Sequence, residues 1–290
     1  MKINVIEKRK IWYVLSIVIL AAGLISLLFQ GLNLGIDFIG GNRINIQFAE
    51  EVDIAQLRTA LTENDLESSK IQLLDNGSYL LKTEEMDQAK QDAVMADLET
   101  RFGKFEIAES GLVGPSVGAE LKKNAVIALG LAILLMIAYI AYRFELQFAI
   151  AGVLALFHDI FIVVAVFSIF QLEVDSTFIA ALLTIFGYSI NDKIVVFDRI
   201  RENMGRVKKD RLSGLVNDSI RQSFTRSMNT SISTLLLLLA LFFFGGQTTR
   251  IFVLAMIIGV VAGTYSSLCI ASPIWYEFKM HAKGNRINTK

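Results

Sequence analysis

Residues 146–170 read LQFAIAGVLALFHDIFIVVAVFSIF, and Asp159 is the only Asp, Glu, Lys or Arg among them. An apolar run of roughly 20 residues is the length that a helix needs to cross ~30 Å of hydrocarbon. Working outward, similar apolar segments occur at 11–29, 125–142, 176–198, 228–246 and 251–272. The sequence therefore predicts an α-helical membrane protein with six transmembrane helices, numbered one to six in chain order.

The composition agrees with a membrane protein and excludes several other classes. Hydrophobic residues make up 53% of the 290, and the charged residues are gathered into a few stretches. Lys plus Arg equals Asp plus Glu at 28 each, so the net charge indicates no nucleic-acid partner. The only cysteine, Cys269, lies in an apolar run, which excludes an intrachain disulfide and any zinc or iron–sulfur site built from several cysteines. We expect it to pack in a helix.

The basic residues predict the orientation. Residues 199–226 contain eight basic and three acidic residues, so this loop is expected in the cytoplasm. Helix parity then places the N-terminus and the basic tail on the same side. Helix one follows basic residues, stays apolar through Phe29 and lacks a convincing cleavage site, so we interpret it as an uncleaved anchor.

The predicted division of the chain follows from these segments. Residues 1–30 form the cytoplasmic N-terminus and helix one, and residues 31–122 form an extracytoplasmic domain. Residues 123–275 form helices two to six with the basic cytoplasmic loop at about 199–226, and residues 276–290 form a cytoplasmic tail.

Strand and helix patterns alternate in the outer domain. Residues 44–48 alternate apolar and polar side chains, which is the period of a strand. Asp53 can cap a following helix, with Gln56 in the capping-box position. Strands are predicted at 71–74 and 79–82, joined by the turn formers Asn76 and Gly77.

The second half of this domain completes the pattern. Thr83 is predicted to cap a second helix that runs to about Phe102, and a last strand begins near Phe105. The order βαββαβ predicts an α+β ferredoxin-like domain between helices one and two. The domain contains no histidine, which argues against a metalloenzyme or a Ser–His hydrolase there, and we interpret its acidic residues as solvated surface.

Polar residues inside the membrane segments are the informative ones. His158 and Asp159 lie near the middle of helix three, and Asn191, Asp192 and Lys193 lie in the inner half of helix four. An ionised Asp at the centre of a membrane helix costs roughly 2.5–3.5 kcal/mol, so each needs a polar partner, water or a proton. Asp192 and Asp159 are therefore candidate proton carriers, and a fixed polar contact between helices is the alternative for each.

Neighbouring residues on a helix point roughly 100° apart. We therefore expect His158 not to pair with Asp159, and Lys193 not to pair with Asp192, so that each side chain looks to another helix. Arg226 opens helix five on the cytoplasmic side and is a candidate partner of Asp192; the alternative is an ordinary positive-inside anchor. Gly259 and Gly263 predict a close-packing face in helix six.

Five motifs resemble those of the SecF family of protein-export membrane proteins. They are Gly35-Ile36-Asp37-Phe38-Ile39-Gly40-Gly41, Gly114-Pro115-Ser116-Val117-Gly118-Ala119-Glu120-Leu121, Phe157-His158-Asp159, Gly187-Tyr188-Ser189-Ile190-Asn191-Asp192 with its continuation Val196-Phe197-Asp198-Arg199-Ile200-Arg201-Glu202-Asn203, and Arg226 followed by Asn229-Thr230-Ser231. Among these, the resemblance marks Asp37, Gly40, Gly41, Gly114, Pro115, Gly118 and Asn191 as motif residues. It covers the whole chain.

The resemblance implies a function and a place in the cell. It implies a subunit of the bacterial cytoplasmic membrane that works with a SecD-like protein and the SecYEG channel, without ATP hydrolysis, catalytic residues or a cofactor. The proton motive force would promote the late stage of export of an unfolded preprotein. Asp192 and Arg226 would form the proton pathway, with a less defined role for Asp159. Lys193 departs from the family, which usually has a small hydroxyl residue there.

Two other functional classes are alternatives for this chain. One is half of a proton-driven transporter of small molecules or lipids. Such a transporter would need a second large outer loop, whereas helices three and four, and five and six, are joined by only a few residues. The other is an intramembrane enzyme, and since His158 and His281 are the only histidines, an HExxH metal site is absent.

Overall fold

The computed structural model describes residues 4–205 and 211–281. The helices are α1 Arg9–Phe29, α2 Ile36–Ile39, α3 Ile54–Glu63, α4 Gln88–Phe102, α5 Pro115–Arg143, α6 Leu146–Ile169, α7 Ser176–Met204, α8 Leu212–Phe244, α9 Arg250–Ser266 and α10 Ser272–His281. The strands are β1 Asn33–Leu34, β2 Gly41–Phe48, β3 Lys70–Leu73, β4 Tyr79–Thr83, β5 Phe105–Val113 and β6 Glu173–Val174.

Six helical segments are long and apolar enough to cross a membrane, as predicted. They are α1, α5, α6, α7, α8 and the continuous stretch Gln247–His281, in which a π-helical turn, Ser267–Ala271, joins α9 to α10. About half of the apolar part of α6, α7 and this last stretch is buried, against about a tenth or less in α1, α5 and α8. Helices α6 and α7 and the stretch Gln247–His281 therefore form the centre of the bundle.

Several membrane helices are longer than predicted. Helix α5 begins at Pro115 rather than at 125, so it extends into the segment assigned to the outer domain. Helix α8 begins at Leu212 rather than at 228, and α7 continues to Met204, so most of the predicted basic loop is helical. Charged residues end an apolar run without ending a helix, because helix formation depends on backbone hydrogen bonds. Residues 206–210 of that loop, and the predicted tail from 282 onward, lie outside the described residues.

The outer domain has the predicted ferredoxin-like fold. Its elements follow the order β2-α3-β3-β4-α4-β5, and its antiparallel sheet has the strand order β3-β4-β2-β5. Strand β4 lies between β3 and β2, which is the split arrangement of this fold. Apolar side chains from β2, β4, α3 and α4 form its core, including Ile44, Ile46, Leu57 and Leu98.

The predicted helix cap at Asp53 and the predicted turn at Gly77 are confirmed, and the predicted helix cap at Thr83 is wrong. Asp53 caps α3 by accepting a hydrogen bond from Ala55 N at 2.9 Å, and Gly77 adopts a positive φ of 79° in the β3–β4 hairpin. Thr83 does not cap α4, because it belongs to β4. Asp87 is the cap, and its side chain accepts a hydrogen bond from Lys90 N at 2.7 Å. Met86, between β4 and α4, is buried in the core, and α4 starts at Gln88, later than predicted.

The outer domain is attached to the bundle through the connection between α6 and α7. Strands β1 and β6 pair in parallel, and Gly35 N donates to Val174 O at 2.8 Å. Glu173 in β6 accepts a hydrogen bond from Lys82 Nζ in β4 at 2.9 Å, and both side chains are mostly buried. A backbone pairing and an ion pair thus join the sheet to the end of the bundle at which α6 and α7 are connected.

Candidate functional site

Asp159 is fully buried at the centre of the bundle and is bonded on both oxygens. Its Oδ2 accepts from Lys193 Nζ at 2.6 Å and from Ser189 Oγ at 2.5 Å, both on α7. Lys193 is one turn after Ser189, and helical side chains point back toward the N-terminus, so its ammonium reaches Ser189 Oγ at 2.5 Å. As predicted, Lys193 finds its partner on another helix.

The expectation that His158 does not pair with Asp159 is wrong. His158 Nδ1 lies 3.0 Å from Asp159 Oδ1, because rotation of both side chains brings the groups together although their Cα–Cβ bonds diverge. The other ring nitrogen, Nε2, lies 2.9 Å from Ser16 Oγ on α1. Tyr265 on α9 lies 3.1 Å from the same Ser16 hydroxyl. The polar network therefore connects α1, α6, α7 and α9.

Asp192 has a different environment from Asp159. Its side chain is 5% exposed and points toward the last membrane segment, where Ser267 Oγ donates a hydrogen bond to Asp192 Oδ2. Within the part of the chain that the structure describes, no basic side chain lies within ion-pair distance of Asp192. The two buried carboxylates thus differ in charge balance. Asp159 is paired with the ammonium of Lys193, whereas Asp192 is bonded to the neutral hydroxyl of Ser267.

Ser267 is suited to both protonation states of Asp192. Its hydroxyl also lies 2.9 Å from Thr264 O, to which it can donate instead. A serine hydroxyl has one proton and two acceptor lone pairs, so it can donate to an ionised carboxylate or accept from a protonated one. Ser267 begins the π-helical turn, a distortion that occurs frequently at functional sites.

The structure does not bring Arg226 into contact with Asp192. The Arg226 side chain is exposed on α8 and lines a groove of about 410 Å³ between α7 and α8, together with Asn191, Arg199, Glu202 and Gln222. Asn191 lines this groove, whereas its neighbour Asp192 points to Ser267 in the π-helical turn, so the two side chains face different sides of α7. In the described residues Arg226 makes no side-chain hydrogen bond or ion pair.

The glycine and proline residues of the first two motifs lie together at the junction of domain and bundle. A Cβ added to Gly118 in α5 would lie 2.9 Å from Phe38 O in α2, so the two motifs pack with their backbones in close contact. Gly41 has a φ of 147°, and a Cβ there would lie 2.2 Å from Thr83 O. Gly40 also has a positive φ, and Gly114 and Pro115 begin α5. Gly259 packs similarly against Ile185 in the membrane, as predicted.

Sequence reasoning missed Ser267 and Glu173. The run Thr264-Tyr265-Ser266-Ser267 interrupts an apolar helix with polar residues, and that was the available signal for the first. Glu173 lies in a connection of a few residues, where a charged side chain is ordinary, so no sequence pattern marked it.

Comparison with known proteins assigns the family. Residues 93–281 match the family of protein export membrane proteins SecD/SecF, C-terminal, and residues 25–52 match the SecD/SecF GG motif. The chain belongs to the SecD/SecF family. The matched GG-motif segment includes Asp37, Gly40 and Gly41, which the structure places at the junction between the outer domain and the bundle.

Individual SecD/SecF relatives align over nearly the whole chain. Protein translocase subunit SecF of Sebaldella termitidis is 39% identical over 98% of this chain and 94% of its own length. The SecF subunit of Acidaminococcus fermentans is 41% identical over 97% of this chain and 99% of its own length.

Solved structures of the same family agree with the fold. The crystal structure of SecDF from Thermus thermophilus, a translocon-associated membrane protein, superimposes with a TM-score of 0.83 at 34% identity over 96% of this chain. SecDF in its super-membrane-facing form gives a TM-score of 0.73. This chain spans 39% of the length of each SecDF chain.

Proposed function

We propose that this chain is the SecF-like subunit of a SecD–SecF complex in the bacterial cytoplasmic membrane. The complex would use the proton motive force to promote the late stage of export of unfolded preproteins that arrive through the SecYEG channel. Support comes from the translocase-subunit relatives and from the SecDF chains, whose additional length leaves room for a SecD-like partner. Both termini would face the cytoplasm.

The proposed coupling of export to protons rests on the environment of Asp192. An ionised carboxylate with no basic partner is costly inside a membrane, whereas a protonated one needs only hydrogen bonds. The bond to Ser267 satisfies either form, so a proton can bind and leave without breaking the site. The free-energy cost of an ionised Asp192 depends on the groups that surround it. Binding of a proton to Asp192 therefore changes which arrangement of the helices is most stable.

Arg226 and Asp159 take different roles in this proposal. Arg226 lines the groove beside Asn191 and supplies a positive charge on the cytoplasmic side of α7. From this position its charge interacts with Asp192 when Asp192 is ionised. Asp159 is already paired with Lys193, so it contributes to the pathway by holding α6 and α7 in place rather than by releasing a proton.

Export into inverted membrane vesicles tests this function. Vesicles containing the chain and its SecD-like partner receive ATP, and translocation of a preprotein is measured with and without a proton gradient. Asp192→Asn should lose the gradient-dependent part and keep the ATP-only part, and Arg226→Ala should weaken the same part. Asp218→Asn, at an exposed position of α8 outside this groove, is the matched control and should behave as wild type. A full gradient response from Asp192→Asn would refute the role in proton coupling.

A further inference from the structure

The ammonium of Lys193 occupies a place that would otherwise suit a small free cation. It lies 2.6 Å from Asp159 Oδ2, 2.5 Å from Ser189 Oγ and 3.5 Å from Ser189 O. A carboxylate, a hydroxyl and a carbonyl are the oxygen ligands that hard cations prefer. Asp159 and Ser189 are both completely buried, and Lys193 is 1% exposed, so water does not fill the site.

The charge balance of the bundle depends on this lysine. Asp159 and Lys193 cancel each other, and His158 and Ser189 satisfy the remaining hydrogen bonds of the carboxylate. Asp192, the next residue before Lys193, has no basic partner among the described side chains. Among the described side chains the ammonium of Lys193 is therefore committed to Asp159, and Asp192 has no ammonium or guanidinium within ion-pair distance.

We propose that Lys193 is a tethered cation that keeps the Asp159 site closed to free monovalent cations. The first part of this inference, occupancy of the site, is independent of export. Its consequence rests on the proposed function: by removing Asp159 from ion exchange, Lys193 determines that coupling runs through Asp192 alone. Shortening Lys193 to a small hydroxyl residue should open a site for Na⁺ formed by Asp159, Ser189 and the new hydroxyl.

Three variants separate the contributions of charge and space. Lys193→Thr removes the ammonium and leaves room and an oxygen ligand. Lys193→Met removes the ammonium but fills the space with a chain of similar length. Asp159→Asn combined with Lys193→Thr removes both charges, so that no cation is needed. Breaking one side of a buried ion pair is strongly destabilising, whereas removing both charges costs much less.

Thermal unfolding of the purified full chain measures occupancy, in sodium chloride and in choline chloride of equal ionic strength. We expect the wild-type midpoint to be the same in both salts. Lys193→Thr should unfold at least ~5 °C lower in choline and recover, saturably, with sodium. Lys193→Met should be equally destabilised in both salts, and the double variant should be insensitive to sodium. Binding of radioactive sodium to Lys193→Thr alone would confirm the site.

Several results would overturn the inference. They are a folded Lys193→Thr that ignores sodium, a wild type that responds to sodium as strongly, and a double variant that keeps the sodium response. Failure of Lys193→Thr to accumulate as folded protein in sodium would count against it equally, since a free cation should then replace the lysine. None of these outcomes depends on export, so a failure of the Asp192→Asn test leaves the sodium result intact.

Discussion

Asp37 Oδ2 accepts two hydrogen bonds from Ser176, from its backbone N at 3.0 Å and from its Oγ at 2.5 Å. Asp37 belongs to the GG motif beside the outer domain, and Ser176 is the first residue of α7, the helix that carries Asp192 and Lys193. The first backbone N–H groups of a helix have no partner within the helix, and a carboxylate there is favourable. The motif is thus joined directly to the helix of the buried charges.

Replacing Asp37 should loosen this connection. We expect Asp37→Ala to lower the stability of the purified chain by about 0.5–2 kcal/mol, as loss of a helix-capping side chain does, and Asp37→Asn to cost less because it keeps an acceptor. Thermal midpoints measure the effect. Glu99→Ala, an exposed acidic residue of α4, is the control and should change the midpoint little. Equal midpoints for Asp37→Ala and wild type would contradict this role.

The ion pair between Lys82 and Glu173 should hold the sheet on the bundle. Lys82→Glu and Glu173→Lys should each lower the thermal midpoint, because each places two like charges together in a mostly buried site. The double charge swap should recover most of the loss, and a coupling of ~1 kcal/mol or more is expected for so buried a pair. Lys104→Glu, at an exposed position, is the control. Additive losses in the double swap would show that the pair makes no contribution.

The isolated segment 43–113 is predicted to fold as a soluble domain, because it contains the helices and strands that build one apolar core. Circular dichroism and proton NMR dispersion of this segment should show a folded α+β protein. Leu57→Ala and Leu98→Ala remove fully buried side chains and should each cost about 2–5 kcal/mol. A disordered wild-type segment would show that the domain needs the bundle.

The same domain should weaken in acid. Hydrogen bonds from Arg101 at 2.9 Å, and then from Asn64 at 2.8 Å, lower the pKa of Asp97. A lowered pKa means that the folded state favours the ionised carboxylate, so its contribution is present above the ordinary Asp pKa and is lost as the pH falls through the lowered value. Acid titration of wild type and Asp97→Asn, followed by circular dichroism, should show a smaller acid-dependent loss in the variant.

Cysteine labelling tests the orientation. In a chain with Cys269→Ala, a cysteine at the exposed position Lys104 should react with an impermeant thiol reagent added outside intact cells. A cysteine at Asp218, exposed near the start of α8, should react only after the cells are opened. Reversed labelling would overturn the orientation, and with it the direction of export that we propose.

Local patterns were sufficient for much of the architecture. Six apolar runs predicted six membrane helices, because the thickness of the hydrocarbon sets the length of each run. The alternation at Ile44, Ile46 and Phe48, the cap at Asp53 and the turn at Gly77 predicted the outer domain, because each depends on neighbours in the chain. Boundaries were less well predicted where a helix continues past its apolar run, as α8 does.

The partners of the buried charges were decided by the tertiary structure. The sequence identified Asp159, Asp192 and Lys193 as charges in the membrane, because ionisable residues are conspicuous in apolar runs. Which acid takes the lysine depends on how α6, α7 and α9 are rotated against one another, and residues far apart in the chain meet only through that packing. Lys193 therefore pairs with Asp159, 34 positions away, while Asp192 turns to Ser267, 75 positions away.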